Sequence, residues 1–199
     1  TTSTPTPTDT ATLTPTPSPT PTRTPPPTAT PTPEPVYVPI VFNDRCFPKR
    51  TDVVLVIDTS TTMRRRMPDG RIKLEGAKDA ARTFLDQLAL TPESDGARDQ
   101  ASIVWFNDSA DTEQALTGNR VALDRALDRL KIVEGTRIDL GLARAYEQVV
   151  ASPMRRPENR TAVILLSDGE PNRVALSEVI EVAAAIKRDR VTLYTVGFG

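Results

Sequence analysis

A carboxylate followed by hydroxyls at two-residue steps stands at Asp58, Ser60 and Thr62, in the run Asp58-Thr59-Ser60-Thr61-Thr62-Met63. Two further oxygen-bearing residues lie far along the chain. Thr136 sits in Glu134-Gly135-Thr136-Arg137-Ile138, and Asp168 in Ser167-Asp168-Gly169. Two ionised carboxylates brought side by side repel each other and lose hydration. A hard divalent cation relieves both penalties. The five side chains offer oxygen only, with no nitrogen and no sulfur. That donor set suits magnesium, with calcium and manganese as alternatives. So few protein ligands leave a place for water or for a carboxylate from outside.

These residues act together only if the fold gathers them. Asp58 follows Val53-Val54-Leu55-Val56-Ile57, a continuous apolar run of the kind covered on both faces in a parallel sheet. Asp168 follows a second such run, 161–166. If those strands are neighbours, the two carboxylates lie side by side. Strands are also expected at 101–106 and 191–196, with a more polar edge strand at 110–116. Helices are expected at 72–90, 119–130, 138–150 and 174–188, each with an apolar stripe. Asn119 is the expected N-cap of the second. In the last helix the stripe comprises Leu176, Val179, Ile180, Ala183 and Ile186. Alternating strands and helices predict an α/β fold. Its open, mostly parallel Rossmann-like sheet has helices on both faces and an antiparallel edge. Ligands of such sheets bind beyond the carboxyl ends of the strands, where strand order reverses.

The composition divides the chain. Residues 1–35 hold 15 Thr and 12 Pro, and the remaining residues hold seven Pro. The head has almost nothing apolar to bury, so it is expected to be an extended Thr/Pro stalk. Residues 36–51 form a connecting segment containing the single cysteine, Cys46. Residues 52–199 are expected to be one domain, with its C-terminal end truncated. Lys plus Arg is 25 and Asp plus Glu is 26, with no basic stripe, so nucleic acid is not an expected partner. The chain has no histidine. That excludes Ser-His-Asp and Cys-His nucleophile systems and the commonest zinc ligand. No apolar run is long enough to span a membrane.

The body resembles the von Willebrand factor type A domain family. That family's metal-ion-dependent adhesion site (MIDAS) has a D-x-S-x-S motif, a distant Thr and a distant Asp. Asp58, Ser60 and Thr62 match the motif, with Thr in place of the last Ser. Thr136 matches the distant Thr and Asp168 the distant Asp. The resemblance covers about residues 52–199. It implies a metal at the top of the sheet and, in adhesive members, a ligand acidic group that completes the metal shell.

Bland roles exist for each residue alone. Asp58 and Thr136 can cap the segments that follow them, and Asp168-Gly169 can be a simple turn. Their joint placement favours the metal. Arg64 and Arg137 flank the site as candidate attractors of an acidic ligand. The run from Asp58 also superficially resembles the D-x-D-x-T of haloacid dehalogenase-like phosphatases. Ser60 stands where their second Asp belongs, and a serine is no general acid near neutral pH. The expected function is therefore non-enzymatic. It is a metal-dependent binding or adhesion module on the outside of a bacterial-type cell, for an acidic group of a protein or surface polymer. The alternatives are an intracellular adaptor subunit of a chelatase- or ATPase-type assembly, and the recruiting domain of a larger secreted enzyme.

Overall fold

The computed structural model describes residues 50–92, 96–169, 171–172 and 174–198. The chain divides into two units, Thr1–Phe42 and Asn43–Gly199. All described residues belong to the second. The Thr/Pro head, nearly all of the connecting segment and Cys46 lie outside them.

Five strands form one sheet: β1 (Thr51–Asp58), β2 (Gln100–Phe106), β3 (Ala110–Thr117), β4 (Arg160–Ser167) and β5 (Thr192–Gly197). Their order is β3-β2-β1-β4-β5. β1 pairs in parallel with β2 and β4, β4 pairs in parallel with β5, and β3 runs antiparallel to β2. Every residue of β1 is buried, as its unbroken apolar sequence requires for a central strand. β3 has a mostly half-buried pattern and occupies an edge.

Four helices cover the sheet: α1 (Lys73–Leu85), α2 (Arg120–Arg129), α3 (Ile138–Val150) and α4 (Leu176–Arg188). Val54, Val56, Val104, Phe106, Val163 and Leu165 form one core with Ile138, Leu142, Ala145 and Val149 of α3 and Ile186 of α4. Successive strand residues point to opposite faces. Val53, Leu55, Ile57 and Ile103 therefore point to the other face, where α1 lies on β1 and α2 on β2 and β3. Asn119 caps α2, its Oδ1 accepting from Ala122 N at 3.1 Å.

Two helices depart from expectation. α1 ends at Leu85 rather than near residue 90. The chain beyond it is captured by Asp99, whose carboxylate accepts Ala89 N at 2.7 Å and Thr51 N at 2.8 Å. In α4 only Ile186 of the predicted stripe is fully buried, while Leu176 and Ile180 are 62% and 58% exposed. The neighbouring strand β5 is only partly buried, so this side of the sheet offers the front of α4 little to pack against.

The chain leaves β1 to build β2 and β3 on one side, then crosses to β4 on the other. Strand order thus reverses at the β1–β4 pair. Ile57 lies opposite Leu166, which places Asp58 beside Ser167.

Candidate metal centre at the carboxyl ends of β1 and β4

Asp58, the last residue of β1, is fully buried. One carboxylate oxygen accepts Ser60 N at 2.8 Å and the other accepts Ser167 Oγ at 2.6 Å. Burial raises the Asp58 pKa above the ordinary carboxylate value. The hydrogen bonds from Ser167 and Ser60 oppose that rise, and repulsion from Asp168 adds to it. Neither donor is charged, so among the described residues no hydrogen-bond partner of Asp58 supplies a positive charge.

After β1 the chain makes one short 3-10 turn, Thr61–Arg64, anchored by buried Met63. The turn holds Ser60 Oγ and Thr62 Oγ1 2.9 Å apart as a hydrogen-bonded pair. Thr62 Oγ1 then donates to Asp168 Oδ1 at 2.5 Å. Asp58, Ser60, Thr62 and Asp168 therefore form one continuous chain of hydrogen bonds across the β1–β4 mouth.

Thr136 stands outside that chain of bonds. It is buried, and its N–H donates to Asn172 Oδ1 at 3.1 Å. Asn172 N in turn donates to Thr136 O at 3.3 Å. Asn172 follows Asp168 in the loop after β4, so this pair docks the Thr136 loop onto the loop that carries the second carboxylate. Gly135 makes the approach possible. Its φ is +100°, and a Cβ there would lie 2.6 Å from Asp108 Cα and 2.7 Å from Asp108 N. Arg137 N donates to Asn107 O at 2.7 Å, tying the same loop to the end of β2.

The von Willebrand factor type A domain family is matched over residues 52–199. This chain belongs to that family. A Synechocystis sp. relative of the domain, "Uncharacterized protein sll0103", is 30% identical over 159 residues, which cover 79% of this chain and 34% of that protein. The chain thus spans about a third of that relative's length. Among solved structures, proximal thread matrix protein 1 from the mussel byssus, described with a zinc-occupied MIDAS motif, matches the type A fold with a TM-score of 0.59. It is 24% identical, over 76% of this chain and 36% of that one. The von Willebrand domain of the type V pili tip protein Mfa5 from Porphyromonas gingivalis gives a TM-score of 0.53 at 20% identity, over 66% and 44%. At such identities the likeness is one of fold.

Within this type A domain three supporting residues carry no sequence signal of their own. Ser167 orients Asp58, and Asn172 positions Thr136. Lys73, the first residue of α1, places Nζ 3.0 Å from Asp168 Oδ2. Their partners are 109, 36 and 95 residues distant, so only the fold reveals them. Of the two arginines expected to flank the site, Arg64 is exposed, while Arg137 is held by Asp139 at 2.7–3.2 Å. That pairing raises the Arg137 pKa and holds Asp139 below the ordinary carboxylate value, in both cases chiefly through the side-chain hydrogen bonds. Asp69 accepts from Arg71 N and Nε, a turn role.

Proposed function

We propose that this type A domain holds one divalent cation through Asp58, Ser60, Thr62, Thr136 and Asp168. Through that cation it binds an acidic group on a protein or surface polymer. The observation that carries this reading is the chain of hydrogen bonds from Asp58 to Asp168, built on a buried carboxylate that has no cationic hydrogen-bond partner among the described residues. The donor set supports it, because every group is a hard oxygen and three of the five are neutral. Magnesium is the proposed ion, with calcium or manganese as alternatives. A bound cation supplies positive charge that attracts an incoming carboxylate.

The chain's own groups prepare that place. Ser60 N–H and Ser167 Oγ fix the Asp58 carboxylate, and the short turn sets the Ser60 and Thr62 hydroxyls. Asn172 fixes the height of Thr136. The reading is one of binding chemistry: the chain contains no histidine, which removes the commonest base for activating a hydroxyl. A position on the outside of a bacterial-type cell is supported by the Thr/Pro head and by the Porphyromonas gingivalis pili-tip domain that shares the fold. No described helix is long and apolar enough to cross a membrane.

Calorimetric titration with Mn²⁺ and Mg²⁺ tests the proposal. One ion should bind per chain, and Asp168→Ala should abolish the heat while circular dichroism stays unchanged. Capture of the domain on source-cell surface material should be lost in chelator. No metal binding by the folded wild type would overturn the reading.

A further inference from the structure

Lys73 is an unusual group to find against a cation site. Its side chain is 11% exposed, and the Asp168 side chain it meets is 1% exposed. Nζ lies 3.0 Å from Asp168 Oδ2 and 2.9 Å from the Phe198 carbonyl oxygen. Lys73 also occupies the first position of α1, where the positive end of the helix dipole disfavours a cation. Burial and dipole both oppose the ammonium here. Among the described residues the Asp168 carboxylate is the one charged group it is paired with, and that contact accounts for its place. Asp168 is left with one oxygen on Thr62 and the other on Lys73.

The consequence is electrostatic. Two carboxylates and one divalent cation make a formally neutral centre, whose pull on an anion comes from the ion's open position alone. Adding a buried ammonium leaves the loaded centre with one net positive charge, and one incoming carboxylate brings it to neutrality. The same ammonium repels the cation before any ligand arrives. Like charges a few ångströms apart in a partly buried site interact by at least a kilocalorie or so, about a tenfold change in affinity.

We propose that Lys73 determines the ligand selectivity of this centre: held on Asp168, it weakens capture of the cation alone and makes the loaded site demand an anionic ligand. Cation and anion then bind cooperatively, each raising the affinity of the other. This rests on the metal-site reading above and adds a residue that the family motif lacks.

The test is Mn²⁺ binding by the full 199-residue chain, followed by electron paramagnetic resonance. It is run in chloride and again in excess acetate at matched ionic strength. Lys73→Met and Lys73→Gln remove the charge, and the glutamine keeps N–H donors for Phe198 O and Asp168 should the methionine variant fail to fold. Lys73→Arg keeps the charge. Both neutral variants should bind Mn²⁺ in chloride about tenfold more tightly than wild type or more, and Lys73→Arg should resemble wild type. Acetate should tighten Mn²⁺ binding in wild type and Lys73→Arg but not in the neutral variants. A merely structural lysine predicts the opposite sign, because loosening the loop would weaken metal binding. Wild type that binds Mn²⁺, with neutral variants equal or weaker, would overturn the role of Lys73 alone. No Mn²⁺ binding by wild type or by any variant would overturn the metal reading together with it.

Discussion

Asp52 and Asp58 lie near opposite ends of β1, and both are fully buried. Their surroundings differ. Asp52 accepts from Asn159 Nδ2 at 2.7 Å, Arg156 N at 2.9 Å and Gln100 Nε2 at 3.1 Å. These donors come from β2 and from the segment leading into β4, so the carboxylate pins three parts of the chain together. Asp58 has two donors among the described residues, and a second carboxylate, Asp168, stands across the mouth from it. At the amino end of the strand the polar groups satisfy one another. At the carboxyl end negative charge is gathered without being balanced at Asp58. A buried acid completed by the protein is architecture, whereas one left incomplete is a place for a ligand.

The largest effect should come from breaking the amino end. Asp52→Ala leaves buried amide donors of Gln100 and Asn159 and the Arg156 N–H without their acceptor. It should cost about 3–5 kcal/mol of unfolding free energy in urea denaturation. A loss below about 1 kcal/mol would show that Asp52 is not a pin.

The carboxyl end should respond with the opposite sign. Burial raises the Asp58 pKa, so its ionised form costs stability at neutral pH, above the unfolded-state pKa. Metal-free Asp58→Asn should therefore melt at or above the wild-type temperature. Saturating Mn²⁺ should stabilise wild type by about 2.7 kcal/mol at a hundredfold excess over Kd, and Asp58→Asn not at all. A variant that melts well below metal-free wild type would put Asp58 in the same class as Asp52.

The smallest effect should follow Asn172→Ala. It frees the Thr136 loop at a stability cost of about 1 kcal/mol, while Mn²⁺ affinity falls roughly tenfold or more. Equal Mn²⁺ affinity in calorimetry would show that Thr136 needs no support from the β4 loop.

Much of this contrast is invisible along the sequence. The central strands are legible because β1 and β4 must be apolar on both faces. The carboxylates and hydroxyls that follow them are legible because strand ends in such a sheet face a common crevice. Asn119 is legible because a cap acts on its own neighbours. Asp52 has no such local mark. It begins an apolar run as a solvated residue might, and its partners are 48 to 107 residues away. Lys73 looks like the solvated start of an amphipathic helix, and its charge acquires meaning only through Asp168. The stripe of α4 misleads for the converse reason. Helical periodicity marks a face able to be buried, and β5 leaves Leu176 and Ile180 largely exposed.

The central place of β1 also fixes the order of events in time. Thr62 and Asp168 are separated by 106 residues, and β1 cannot gain its β4 partner until both are synthesised. At ribosomal rates of about 5–20 residues per second, that interval lasts roughly 5–20 s. Throughout it Asp58 and its hydroxyls are half a site. On the metal reading proposed above, the full donor set exists only once β4 has paired with β1. Metal should lengthen the lifetime of the folded chain and leave its rate of folding unchanged.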